Sequence, residues 1–220
     1  MAARGKPVLV LSQEMQAGDL IDRAVANLGR ISLSRLTTGR FDKEDWTRIT
    51  EAADATARMP LFIDDQPALT LLDIRSKARQ VRQHCGGLSL VVVDYLQLCA
   101  SASSHDNRHH QIEAISRGMK TLAKEMGCTV LLLSQLTRAS ELDEPELHHL
   151  KESGSIEEDA DTVILLHPMG DAPEGGMLVL LKVAKNRQGM RGRLGLAFDG
   201  STQRWQVSVG IVARAVKGRT

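Results

Sequence analysis

Residues 88–98 read LSLVVVDYLQL, and this stretch decides the predicted fold. The run from Leu88 to Val93 is largely apolar and does not alternate, which is typical of a strand covered on both faces in a parallel sheet. The run ends on an acid, Asp94. In open α/β sheets, ligands bind just beyond the carboxyl ends of the strands, so Asp94 is a candidate binding or catalytic residue.

Apolar runs elsewhere in the chain predict the remaining strands and place helices between them. The other predicted strands are Pro7 to Leu11, Leu61 to Ile63, Thr129 to Leu133, Thr162 to Leu166 and Met177 to Val183. Two helices have readable signals. Thr70 and Asp73 predict a capping box at the start of a helix over 71–84, and an apolar stripe predicts a helix over 107–126 that Gly127 closes.

This alternation of strands and helices predicts an α/β fold with a doubly wound, mostly parallel sheet. After about Met177 the pattern becomes rich in strands, with the sequence KNRQG (185–189) between two strand-like stretches. We therefore expect a C-terminal β-hairpin at the edge of the sheet.

Composition and charge exclude several functional classes. The formal net charge of +1 gives no overall basic field, so any contact with DNA must come from local clusters. Only 3% of the residues are aromatic, which argues against a single-strand binder that stacks bases on rings. Cys85, Cys99 and Cys128 have no CxxC spacing and predict neither a disulfide framework nor a zinc site. Without a signal peptide or an apolar run of roughly 20 residues, we expect a cytoplasmic protein with no membrane contact.

Polar side chains follow three of the predicted strands. PVLVLSQEM (7–15) places Glu14 just past the first strand, and TVLLLSQLTR (129–138) places Gln135 past the fourth. A carboxylate after a buried strand can hold the metal ion of a nucleotide or orient an attacking water, and an amide can sense a γ-phosphate. Taken singly, an acid at a strand end more often caps a helix or lies on the surface, and Glu14 could as easily be a solvated loop acid. Together, on successive strands, Glu14, Asp94 and Gln135 favour a nucleotide site.

Several strings resemble the DnaB-type replicative DNA helicases, in order and with fitting spacing. They are LSQEM (11–15), RLTTGRFDKEDW (35–46), VVVDYLQL (91–98), SHDNRHHQIEAISRGMKTLAKEM (104–126), LLLSQLTR (131–138), KESGSIEEDAD (151–161) and KNRQG. The likeness runs from about Lys6 to Val207. It implies a RecA-like motor domain that works as a homo-hexameric ring around single-stranded DNA, binds ATP and Mg²⁺ between neighbouring subunits, and meets a helicase loader or primase.

The resemblance also assigns roles to residues at the strand ends. Glu14 is similar to the family's catalytic glutamate, Asp94 to its Walker B aspartate near Mg²⁺, reached through water, and Gln135 to the residue that links nucleotide state to the DNA loops. Lys185 and Arg187 resemble a basic pair that reaches the nucleotide of the adjacent subunit. From the residues alone, a solvated basic turn is the better explanation of this pair, and the resemblance reverses that preference.

The DNA-binding candidates come from the same resemblance. The segment LKESG (150–154) resembles the family's DNA-facing loop, in which Lys151, Glu152 and Gly154 are candidates. The family commonly has arginine where Lys151 stands, so a bidentate phosphate contact is weakened here. Arg108 is a further candidate for the channel surface.

One part of such a motor is missing from the sequence. The 220 residues contain no GxxxxGKS or GxxxxGKT string, which a phosphate-cradling loop needs. We therefore expect 1–208 to form a partial motor domain that lacks the P-loop strand, followed by a basic tail at 209–220. Without that strand, its neighbours would expose unpaired backbone, and we expect a marginally stable or aggregation-prone chain.

Three functions remain open at this point. The first is a truncated helicase motor that is not an independent ATPase. The second is a non-hydrolysing module that binds single-stranded DNA or joins a helicase ring. The third is a relative of RecA-like recombinases or clock-type ATPases, which fits SGSIEEDAD (153–161) and KNRQG less well.

Overall fold

The structure is a computed structural model that describes residues 1–99, 108–137, 144–150, 154–172 and 175–208, with only the backbone described at 108 and 109. The chain divides into two compact units. The first contains Met1–Ile21 and the described residues of the ranges Asp54–Thr137 and Leu150–Ala160. The second contains Asp22–Ala53 and the described residues of the ranges Arg138–His149 and Asp161–Thr220. The predicted tail at 209–220 lies outside the described residues.

A parallel sheet of four strands forms the centre of the first unit. The strands are β1 (Val8–Ser12), β2 (Leu61–Asp64), β3 (Leu90–Asp94) and β4 (Thr129–Leu132), in the order β2-β1-β3-β4. All three pairings are parallel. The prediction of a parallel sheet is confirmed, and the four carboxyl ends meet at one edge.

Helices occupy the connections between these strands in the sequence, and a further short α-helix follows β4. The helices are α1 (Ala17–Gly29), α2 (Leu33–Thr38), α3 (Lys43–Ala57), α4 (Leu71–Cys85), α5 (Leu96–Cys99), α6 (Arg108–Met126) and α7 (Gly154–Asp159). Because each parallel pairing requires a crossover, helices lie between successive strands of the sheet. Among the described residues, no helix is long and apolar enough to cross a membrane.

The two predicted helix signals are confirmed. At the start of α4, the Asp73 backbone N–H donates to Thr70 Oγ1 at 3.2 Å and the Thr70 N–H donates to Asp73 Oδ2 at 2.9 Å. These two bonds form the predicted capping box. The apolar stripe of α6 is buried at Ile112, Ile115, Met119, Leu122 and Met126. Gly127, with φ of 62°, follows its last residue and adopts the left-handed conformation that glycine tolerates.

The second unit contains a separate antiparallel sheet. Its strands are β5 (Thr162–Asp171), β6 (Met177–Asn186), β7 (Gly192–Asp199) and β8 (Arg204–Val207), paired in chain order. The predicted hairpin around KNRQG is present as β6 and β7. Its expected place at the edge of the parallel sheet was wrong, and the run at Thr162 to Leu166 also belongs to this second sheet. The connections between these strands are short in sequence, which permits antiparallel pairing only.

Among the described strands, β2 and β4 are the edge strands of the parallel sheet, and β5 and β8 are those of the antiparallel sheet. In the part of the chain that the structure describes, β4 pairs only with β3, and β5 pairs only with β6. Along β5, Val163 and Leu165 are buried, whereas Ile164 and Leu166 on the opposite face are each 49% exposed. An open edge beside exposed apolar side chains can pair with another chain, so β5 is a candidate site of aggregation.

We expect Ile164→Lys to reduce aggregation of the purified chain. The Ile164 side chain already faces solvent, so the free energy of unfolding should change by less than about 0.5 kcal/mol, while the charge opposes pairing of two open edges. Light scattering over a concentration series, together with urea unfolding, checks both expectations. Val163→Lys is the matched control, because it places the charge in the buried face and should strongly destabilise the unit. Unaltered scattering from Ile164→Lys would show that another surface drives aggregation.

Candidate active site

The pairing of β1 with β3 brings two acidic residues to one edge of the parallel sheet. Ser12 pairs in register with Asp94, and the Gln13 backbone N–H donates to the Asp94 carbonyl oxygen at 2.8 Å. Ser12 Oγ then donates to the Met15 carbonyl oxygen at 2.8 Å and accepts from the Met15 N–H at 3.2 Å. These bonds turn the chain immediately after β1, so Glu14 lies exposed at the turn beside the end of β3.

The charge of Glu14 acts on Asp94. Burial raises the pKa of the half-buried Asp94 carboxyl above its ordinary value, and the nearby charge of Glu14 raises it further. Two carboxylates that repel each other at a strand edge are a favourable place for a cation with a preference for oxygen ligands. The structure thus brings together the two acidic residues that the sequence predicted as site residues.

The end of β4 adds the third predicted residue to this edge. The Leu133 N–H donates to the Val93 carbonyl oxygen at 3.0 Å, which continues the pairing of β4 with β3 past the last residue of the strand. Gln135 follows two residues later, and its side chain is exposed. Glu14, Asp94 and Gln135 therefore follow three adjacent strands of one sheet, in the order β1-β3-β4.

Lys185 and Arg187 lie in the second unit, near the end of β6. Lys185 belongs to β6 and pairs in register with Val163. The Arg187 backbone N–H donates to the Asp161 carbonyl oxygen at 2.8 Å, and its guanidinium lies 3.5 Å from Asp161 Oδ1. Both side chains of this ion pair are about half exposed. Their predicted role at the nucleotide of a neighbouring subunit stays a prediction.

The predicted DNA-binding residues are only partly covered by the structure. Lys151 and Glu152 lie outside the described residues, and the Arg108 side chain does too. Gly154 is the first residue of α7 and is exposed, with open space where a Cβ atom would lie. The role of these four residues in DNA binding stays a prediction.

Sequence reasoning missed two glutamines that connect the strand ends. Gln97 in α5 is buried, donates from Nε2 to Ser134 Oγ at 3.0 Å, and accepts at Oε1 from the Gln135 N–H at 3.3 Å. Gln13 donates from Nε2 to Cys99 Sγ at 2.8 Å and accepts at Oε1 from the Leu69 N–H at 2.9 Å. The signal available in the sequence was an amide inside an otherwise apolar stretch, as in residues 96–98, LQL.

An ion cluster in the second unit was also missed. Lys182 Nζ lies 2.6 Å from Glu146 Oε1 and 3.1 Å from Glu144 Oε1, and Arg193 donates to Glu144 Oε1 at 2.7 Å. Burial alone would raise the pKa of Glu144, but hydrogen bonds from Lys182 and Arg193 outweigh it and hold that pKa below its ordinary value. The cluster joins segment 144–146 to β6 and β7. Its partners are far apart in sequence, so spacing alone did not predict it.

The comparison with known families decides the identity. The family model for the DnaB-like helicase C terminal domain matches residues 1–207. This chain belongs to that family. The chain is 40% identical over 208 residues to the replicative DNA helicase DnaB of Pasteurella multocida (strain Pm70), covering 91% of this chain and 44% of that protein. It is 41% identical over 188 residues to DnaB of Mycobacterium leprae (strain TN), covering 82% and 31%. The chain thus spans less than half the length of these relatives.

Solved structures of the DnaB-like family share the fold. A DnaB-like replicative helicase, studied with its interactions with primase, superposes with a TM-score of 0.86 at 31% identity, covering 93% of this chain and 51% of that one. A second solved structure, of an ATPase domain, gives a TM-score of 0.85 at 31% identity, covering 93% and 75%. The predicted RecA-like α/β fold of the DnaB-like domain is confirmed.

We expect Asp94→Asn to stabilise this DnaB-like domain near neutral pH. The pKa of Asp94 is higher in the folded state than in the unfolded state, so the folded protein favours the neutral carboxyl. As pH rises through the folded-state pKa, Asp94 ionises and the free energy of unfolding decreases. A permanently neutral amide avoids that decrease. The gain should stay below about 1 kcal/mol, because Asp94 remains partly open to solvent.

Urea unfolding at several pH values checks this expectation. The difference between the variant and the wild type should shrink as pH falls through the raised pKa of folded Asp94 toward the ordinary value of about 4, because the Asp94 carboxyl then becomes neutral like the amide. Asp54→Asn, at an exposed residue of α3, is the matched control. A variant that is less stable than the wild type at neutral pH would contradict the electrostatic description of this edge.

Proposed function

We propose that this chain supplies the catalytic edge of a replicative helicase motor, which unwinds duplex DNA with ATP during DNA replication in the cytoplasm. The observation that carries the proposal is the placement of Glu14, Asp94 and Gln135 after three adjacent parallel strands in a DnaB-like domain. In this function Glu14 orients or deprotonates the attacking water, Asp94 holds Mg²⁺ through water, and Gln135 senses the γ-phosphate.

The donor groups at this edge fit Mg²⁺. Mg²⁺ keeps several waters and binds through one or two carboxylates plus phosphate oxygens, and Asp94 and Glu14 supply two carboxylates. Among the described residues there is no group of three or more His, Cys, Asp or Glu that could hold a metal alone. Bound there, Mg²⁺ would neutralise charge on the phosphates. The acidic pair therefore suits a metal that arrives with a nucleotide.

The sequence lacks the motif that binds the phosphates of ATP in such motors. The sequence contains no GxxxxGKS or GxxxxGKT string, whose backbone amides and lysine hold the phosphates. We propose that the 220 residues alone bind ATP weakly and do not hydrolyse it independently. Asp94 and Glu14 act where a phosphate-binding loop is also present.

The remaining roles concern neighbouring subunits and DNA. In a homo-hexameric ring, Lys185 and Arg187 would reach the nucleotide of the adjacent subunit, and an arginine supplied in this way stabilises charge in the transition state. The half-exposed ion pair of Arg187 with Asp161 costs little to break, because exposed ion pairs contribute about 0–1 kcal/mol. Lys151, Glu152, Gly154 and Arg108 would face single-stranded DNA, and a loader or primase would act on the ring.

A second function is favoured by the same absence of a phosphate loop in the sequence. The chain could be a non-hydrolysing module that joins a helicase ring or binds single-stranded DNA. In that function the basic residues act without turnover. Fluorescence anisotropy with a labelled single strand tests it, because Lys151→Ala should weaken binding by the module.

ATP hydrolysis by the purified chain with single-stranded DNA tests the main proposal. We expect the wild type to show no more turnover than Asp94→Ala, because the phosphates are not cradled. Asp54→Ala controls for the loss of an exposed acidic residue. Turnover that is abolished in Asp94→Ala and retained in Asp54→Ala would contradict the proposed dependence on an additional phosphate-binding loop. It would then assign a complete ATPase to these residues.

A further inference from the structure

The short helix α5 connects the three strand ends that carry the proposed site. It begins two residues after Asp94, and the Leu96 N–H donates to the Leu133 carbonyl oxygen at 3.0 Å. After Leu133, the contact between α5 and the segment that follows β4 is made by a side chain: Gln97 donates to Ser134 Oγ and accepts from the Gln135 N–H. The amide of Gln97 thus holds the segment that presents Gln135 against the helix that follows Asp94.

The other end of α5 holds the turn that carries Glu14. Cys99, its last residue, is buried and accepts a hydrogen bond from Gln13 Nε2 at 2.8 Å. Gln13 directly precedes Glu14, and its Oε1 accepts from the Leu69 N–H just before α4. Helix α5 therefore touches the segments of both Glu14 and Gln135 while following Asp94 in the chain.

Gln97 is a buried amide whose two polar ends are both hydrogen-bonded. Gln97 is 5% exposed, in surroundings where an apolar side chain of similar size would pack without needing partners. Both of its polar ends are used, and both partners lie in the segment that ends on Gln135. An amide satisfied in this way fixes a backbone position more specifically than apolar packing does.

We propose that Gln97 is a positioning residue, which fixes the Ser134–Gln135 backbone relative to Asp94. The residue that would lie near the metal and the residue that would lie near the γ-phosphate then keep a constant separation. The functional part of this role rests on the proposed nucleotide site, because Gln135 is proposed to bind the γ-phosphate of a nucleotide. The positioning itself is a property of the folded chain and is measured without nucleotide.

Amide hydrogen exchange on the full chain, read by NMR, tests the positioning. In Gln97→Met, which keeps the size of the side chain, the Gln135 N–H should exchange about tenfold faster or more, because it loses its acceptor. The Leu133 N–H bonds to the Val93 carbonyl oxygen and should keep its wild-type exchange rate. Gln83→Met, at an exposed glutamine of α4, should leave both rates unchanged.

A second variant supplies a readout that simple loss of stability would not produce. In Gln97→Glu, a buried carboxyl group is favoured in its neutral form, which can donate to Ser134 and accept from the Gln135 N–H as the amide does. A carboxyl oxygen accepts from the Gln135 N–H whether the group is neutral or ionised, so the Gln135 exchange, corrected for intrinsic rates, should stay close to the wild-type rate at both about pH 5 and about pH 8. Gln97→Met should show no such protection at either pH.

Two outcomes would overturn the proposal. Equal acceleration at Leu133 and Gln135 in Gln97→Met would mean that Gln97 only stabilises the unit as a whole. Protection of Gln135 that is unchanged in Gln97→Met would mean that the hydrogen bond positions nothing. Neither result depends on ATP hydrolysis, so failure here is separate from failure of the proposed function.

Discussion

The parallel pairing of β1 with β3 is the constraint on which the rest of the site depends. Because Ser12 and Asp94 are in register, Glu14 and Asp94 must leave the sheet side by side, although 80 positions separate them in the sequence. Their proximity is unfavourable without a cation, since burial and then the charge of Glu14 raise the pKa of Asp94. The buried strands hold the two carboxyl groups together despite their repulsion, and a perturbed pKa of this kind is typical of functional sites.

The first unit follows from its sequence to a large extent. Apolar runs predicted β1, β3 and β4 to within two residues at each end, and the capping box at Thr70 predicted the start of α4. The strand ends predicted Glu14, Asp94 and Gln135, because ligand sites form at the carboxyl ends of parallel strands. Each of these signals depends only on residues that are close together in the sequence, so it can be recognised without knowing the tertiary structure.

The features that sequence reasoning missed are contacts between distant residues. The run at Thr162 to Leu166 resembles the parallel strands in composition, and only its short connection to β6 makes it antiparallel. The bond from Gln97 to Gln135 and the ion pairs of Lys182 with Glu144 and Glu146 depend on tertiary packing. Polar residues inside apolar stretches mark such places, but they do not identify the partner.

The central claim is that the sheet brings Glu14 and Asp94 into one electrostatic site. The direct measurement is the pKa of the Asp94 carboxyl by carbon-detected NMR, in the wild type and in Glu14→Gln. The account predicts a wild-type pKa above the ordinary value, and a decrease toward that value in Glu14→Gln that is incomplete because burial remains. A pKa of Asp94 that is the same in both proteins would contradict the account.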